Sequence, residues 1–386
     1  MRIKKGDTMH TNPKLSSKTR TLPLLVALAV FATLAMTVQA SAQKIITFDV
    51  PGAGTGAFQG SYPVAINNQG WITGNYTTNS NATYGFLRTP DGKVIQIDAP
   101  GAATSSYWQG TYPYAINSEG VIAGYFVDAN NVNHGFLRTP DGKFKTVDVP
   151  GAGIGAGQGT FLVDINDFGV TAGWYNDATG TGHAFLRTSV GKVIPFVAPG
   201  AVTGSTYVSW VNGLNNAGEL EGGYVDSSNV GHGYVRHSDG SFDTYEAPNA
   251  GSGAGQGTSP SSINALGTVS GQYADASNVW HGYLRTPYGR FMIFDAEGAG
   301  TGAGQGTFGI AVNNLGVVAS TFDDANGAMH GFVRTPDGKI TEFDAPGAGI
   351  ASGQGTGVFE NNLMGAIVGY YLDTNNVFHG FLRMPQ

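Results

Sequence analysis

The chain has no cysteine, so in an oxidising compartment it has no disulfide and must be held together by packing alone. It also has no stretch with the apolar spacing of an amphipathic helix, which leaves strands and turns. Three chemical signatures are missing as well: a nucleophile elbow, a HExxH pair and an EF-hand loop. Charged residues make up only 12% of the sequence. Long apolar runs are absent beyond one, TLPLLVALAVFATLAMTV at 21–38.

That run follows a basic leader (Arg2, Lys4, Lys5, Lys14, Lys18, Arg20) and precedes Ala40-Ser41-Ala42, an A-x-A cleavage site. The order is that of a secretory signal peptide, so 1–42 is expected to be removed and 43–386 to form a single exported domain, secreted or periplasmic, without a transmembrane anchor. Six of the 20 Lys+Arg and one of the 27 Asp+Glu lie in the leader, leaving 14 basic residues against 26 acidic and a net charge of −12. Such a surface repels a phosphate backbone, which argues against nucleic acid as a partner. A monomer is expected.

What the chain has in excess is glycine, 60 residues of 386. Disorder does not follow, because 41% of the residues are hydrophobic and arrive in regular short runs. The runs repeat. HGFLRTPDGK at 134–143 has relatives anchored on Tyr84, His183, His232, His281, His330 and His379, spaced by 50 once and by 49 thereafter. The asparagine of an I-N-x-x-G segment steps in register with them, through Asn67, Asn117, Asn166, Asn215, Asn264, Asn313 and Asn362. Two markers in phase over the whole chain define seven units.

Within 111–149, four β-rich runs (TYPYAIN, VIAGYFV, HGFLRT and KFKTVDV) are separated by Asn-, Asp-, Gly- and Pro-bearing breaks. This reads as a four-stranded antiparallel meander. Such a sheet cannot stand alone and must stack on its neighbours. KIITFDV (44–50) aligns with a fourth strand, and the last unit stops after its third, at VFHGFLRMPQ (377–386). The two ends are complementary. The prediction is an all-β, seven-bladed β-propeller of four-stranded antiparallel blades, closed by the N-terminal strand completing the last blade.

HAFLRT at 183–188 and its variants, with the preceding I-N-x-x-G, resemble the HAF-family extracellular repeat of bacteria, over essentially all of 44–386. The resemblance implies export and repeat architecture and supplies no catalytic residue. Most units here carry Gly where that repeat has Ala; Ala184 alone fits literally.

Histidines 49 residues apart, in six of the seven units, invite a metal. On a propeller, however, equivalent positions lie on a wide ring, too far apart to share an ion whose ligands sit about 2 Å away. No metal and no cofactor is expected. A three-residue loop at Pro140-Asp141-Gly142 places Arg138 opposite Phe144 and His134 opposite Asp148, and the offset pairs the other histidines with acids except His183, which faces Val197. His134, His183, His232, His281, His330 and His379 are therefore read as structural, together with Asn117 and Arg138. The arginine is expected to tie carbonyls or carboxylates between blades as a planar donor fork.

The glycine-rich connector PGAGIGAGQGT (150–160) contains a G-x-G-x-x-A string, but a β-strand follows it, so it makes no dinucleotide site. Ligand contacts are sought where the units differ. Tyr107, Trp108, Tyr207, Trp210 and Trp280 are the candidate binding aromatics, suited to a glycan or an extracellular protein. The resulting expectation is a non-catalytic binding or scaffold protein. The alternative is a propeller enzyme, hydrolase or lyase, acting on extracellular carbohydrate through Asp164, Glu219, Glu221 or Glu360. Glycosidic chemistry needs two carboxylates about 5–10 Å apart, so Asp164 and Glu360 would have to meet across the channel.

Overall fold

The computed structural model describes residues 44–106, 108–202 and 209–385. The expected signal peptide and its cleavage site lie outside the described residues, as do Tyr107 and Tyr207. Among the described residues there are 29 strands, no helix, and no helix long and apolar enough to cross a membrane.

The second unit shows why these residues make these strands. Its runs become Gly110–Ile116, Ile122–Val127, Asn133–Arg138 and Phe144–Val147, each paired antiparallel with the next. Arg138 lies opposite Phe144 and Phe136 opposite Thr146, the register the three-residue loop requires. The same meander recurs along the chain. Strand Ile45–Phe48 pairs antiparallel with Phe378–Arg383 of the last unit, Ile45 opposite Arg383.

Each core lies between units rather than within one. Leu87 and Ile97 of the first unit pack with Ile116, Ile122 and Phe136 of the second, and Val368 and Leu382 of the last unit pack with Ile66, Ile72 and Phe86 of the first. Phe136 is 1% exposed, and truncating such a ring to alanine costs about 3–5 kcal/mol. A glycine sets how closely units approach. Gly159 has φ +113°, and a Cβ there would lie 2.0 Å from the Asn133 carbonyl oxygen of the preceding unit. Only glycine fits where strand meets strand so tightly.

Two polar devices recur in every unit. A hydroxyl near the start of each first strand accepts the backbone N–H at the end of the preceding fourth strand, as in Val149 N–H to Thr160 Oγ1 at 2.9 Å. The repeated asparagine does more. Asn117 Oδ1 accepts the N–H groups of Glu119 and Val121, while its Nδ2 donates to the carbonyl of Asn166 at 3.2 Å. Every repeated asparagine donates likewise to the next, and Asn362 donates to the Asn67 carbonyl at 3.1 Å.

Candidate functional site

The outer edge of the units carries the histidines. His134 Nδ1 lies 3.0 Å from Asp148 Oδ1, as the loop register requires. The register expectation stops short in one respect: a second carboxylate, in the turn between the second and third strands, approaches the other ring nitrogen. His134 Nε2 is 3.7 Å from Asp128, and His232 Nε2 is 3.2 Å from Asp226. That turn acid gives His183, which faces Val197, a partner after all, Asp177 Oδ2 at 2.9 Å. Each imidazole also stacks on a second-strand aromatic, His134 on Phe126 at 5.0 Å. In the first unit Tyr84 instead lies against Tyr76. Backbone N–H groups of Val230 and Ser228, with His232, hold the Asp226 carboxyl below the usual range. Among the described residues no group of three or more His, Asp or Glu is placed to hold a metal ion.

The repeated arginines act differently from the expected fork. Arg88, Arg236, Arg334 and Arg383 lie over the fourth-strand aromatic of the preceding unit, at 4.9 Å for Arg88 over Phe48. Arg138 donates to the carbonyl of its own neighbour, Thr139. Among the described residues, Arg285 alone adds a carboxylate of the preceding unit, Asp243, to its aromatic contact with Tyr245. With aromatic rings in the neighbouring fourth strand, the flat guanidinium stacks on a ring while its N–H groups reach nearby carbonyls.

On the connector side, Trp108 is 74% exposed, and its carbonyl accepts the Tyr112 hydroxyl at 3.1 Å. Trp280 is half-buried, its ring 6.2 Å from Phe308 of the next unit. Trp210 does not join them. It lies on the wall of a central cavity of about 1200 Å³, to which all seven units contribute. There the Trp210 ring covers Gly223, where a Cβ would come within 2.3 Å of it.

The cavity is lined by the first strands, and its shape comes from a feature the alternation pattern hides. In six units the first strand slips register by one residue against the second, for example between Pro113 and Ala115 or between Val358 and Glu360. In the remaining unit the first strand is split into Gly306–Thr307 and Ala311–Val312. A bulge leaves one residue unpaired and re-aims it. The skipped residues, Val64, Tyr114, Val163, Asn212, Ser261 and Phe359, all line the cavity. Trp174 joins the wall from a second strand, its ring stacked on Phe161 at 3.7 Å.

Two of the acids singled out from the sequence are on this wall. Asp164 accepts the N–H of Leu214 in the next unit at 2.7 Å and that of Ile165 at 2.7 Å. Glu360 accepts the N–H of Ile66 at 2.8 Å. Burial pushes Asp164 up to about 6 against those backbone donors. Glu360 is pushed up to about 8, by burial first and by the charge of Asp164 in addition. Glu219 is engaged by Asn215 and His237, away from the cavity. Glu221 is wholly buried, and burial raises its carboxyl well above the ordinary value.

The comparisons with known proteins address the fold. No family model matches the chain, and no curated protein matches it in sequence. In structure it is similar to a streptogramin B lyase, with TM-score 0.53 and 13% identity over 89% of this chain and 98% of that one. It is similar to the BP39L lectin from Burkholderia pseudomallei, with TM-score 0.53 and 12% identity over 85% and 99%. A puromycin hydrolase follows at TM-score 0.51 and 13% identity, over 81% of this chain and 50% of that one. These neighbours are β-propellers, and this chain has the fold of one.

Proposed function

We propose that the protein is an exported, non-catalytic β-propeller of the HAF-repeat type that binds a glycan in its central cavity. Seven blades closed by the N-terminal strand are part of this reading. The pairing of Ile45–Phe48 with Phe378–Arg383 and the bond from Asn362 to Asn67 support it.

The observation that carries the binding role is the cavity wall. Tyr114, Trp174, Trp210 and Phe359 offer ring faces, Asn212 and Ser261 offer polar groups, and no Lys, Arg or His is among the lining residues. Aromatic faces with amides and hydroxyls suit sugar rings, which present C–H faces and hydroxyl edges. Binding is favoured over catalysis because both oxygens of Asp164 already hold backbone N–H groups. A lectin among the structural neighbours is consistent with this reading.

The test is retention of purified 43–386 on a panel of immobilised polysaccharides. Trp210→Ala and Trp174→Ala should each abolish retention while the protein stays folded. A protein that binds no polysaccharide but captures an extracellular protein partner through Trp108 would shift the role to the connector face.

A further inference from the structure

The cavity wall has a bias in charge and hydrogen bonding that a neutral sugar leaves unused. One level of it is formed by the residues two before each repeated asparagine: Ala65, Ala115, Asp164, Gly213, Ser262, Ala311 and Glu360. All but Gly213 carry a Cβ, and two are acids. Behind the bare Gly213 stands a third acid: Glu221 Oε1 lies 3.0 Å from where a Cβ on Gly213 would sit. Glu221 is 0% exposed, and among the described residues neither of its oxygens has a hydrogen-bond partner.

A second orphan sits beside Glu360. Asn361 is 6% exposed and lines the cavity. Its Nδ2 is committed to the Val317 carbonyl at 3.0 Å, and its Oδ1 has no partner. At the wall itself the orphaned group is therefore an acceptor, Asn361 Oδ1, and the lining holds no Lys, Arg or His to serve it. Native proteins seldom leave buried acceptors unmet, so a donor is missing. An ammonium supplies three N–H donors and a positive charge, and ring faces such as those of Trp174 and Trp210 attract the same charge.

Building on the glycan reading, we infer that the ligand is an amino sugar with a free primary ammonium, alone or in a short oligomer, its ammonium seated at the level of Asp164 and Glu360, beside Asn361. Because burial keeps Glu360 partly protonated near neutrality, a cation placed beside it drives the proton off to buffer. Binding therefore releases protons.

The experiment is calorimetric titration of purified 43–386 near pH 7 with a glucosamine trimer and with its fully N-acetylated counterpart, each in two buffers of different ionisation enthalpy. The free amine should bind at least about tenfold more tightly, with net proton release. In the pair Asp164→Asn plus Glu360→Gln, which keeps the acceptor for Ile66 N–H and one of the two on residue 164, that ratio should fall towards one. If the pair does not fold, Glu360→Gln alone takes its place. Equal affinity of wild type for the two trimers overturns this inference and leaves the glycan reading standing. Binding of neither trimer, with no other polysaccharide retained, overturns both. Displacement of the amine by calcium at comparable concentration also overturns the inference, since the wall would then be a metal site.

Discussion

Two residues repeat in nearly every unit, the histidine and the asparagine, and their surroundings assign them different weights. His134 is a quarter exposed and its partner Asp148 half exposed, so water takes over much of what the pair loses when broken. Asn117 is buried, accepts two backbone N–H groups and donates to the next unit. Removing its side chain leaves one buried carbonyl and two part-buried N–H groups without their partner. Asn117→Ala should therefore cost about 2–4 kcal/mol, each stranded group contributing on the order of 1 kcal/mol or more, and His134→Ala about 1 kcal/mol or less. Urea denaturation of both variants checks the order. A larger loss for His134→Ala would place the weight of the repeat on its outer edge.

At the scale of elements, the strand Ile45–Phe48 is the clearest case of sequence reaching across the chain. Phe48 lies over Phe86 at 6.3 Å and under Arg88, and Lys44 O accepts the N–H of Met384. Deleting 43–50 should lower the melting temperature sharply and promote aggregation, because it leaves Phe378–Arg383 as an unpaired edge. An unchanged melting temperature would reduce 44–50 to a tail. This element was legible because its residues match a fourth strand at the right phase, and the strand boundaries of the second unit fell within one or two residues for the same reason. The bulges were not legible. A period of two reads alternation, and a single skipped residue at Tyr114 or Phe359 looks like ordinary alternation until pairing is seen. The site follows the bulges, so Trp174 and Asn212 do not stand out in the sequence, and Trp210 stands out only as one of the aromatics at which the units differ. The histidine's second acid was missed for a related reason. Asp128 sits six positions before His134, and its approach depends on how the turn folds back, which sequence spacing does not encode.

For the molecule as a whole, the wall acids set the dependence of stability on pH. Asp164 at about 6 and Glu360 at about 8 both lie above their ordinary values of 3.8 and 4.5. The folded state therefore holds these protons more tightly than the unfolded chain. The stability they confer is complete below pH 4 and is lost as pH rises through 6 and then 8. The exposed acids work the other way. Asp141, held at about 2 by Lys143 and Thr139, contributes above its ordinary range and loses that contribution in acid. The ligand-free protein should melt highest near pH 5 and progressively lower towards pH 9, with Glu360→Gln flattening the alkaline part of the profile. A melting temperature that is level from pH 5 to 9 would mean that the wall acids are solvated.

The seven asparagine amides all point the same way around, each giving to the next carbonyl. The relay is homodromic: it has a sense of rotation and no terminal member. In an open string of hydrogen bonds the end positions are the weak ones. Here every position has the same two neighbours, and each bond polarises the one after it. A defect at Asn67, next to the chain's own beginning, should therefore be felt as deeply as one at Asn215 in the middle.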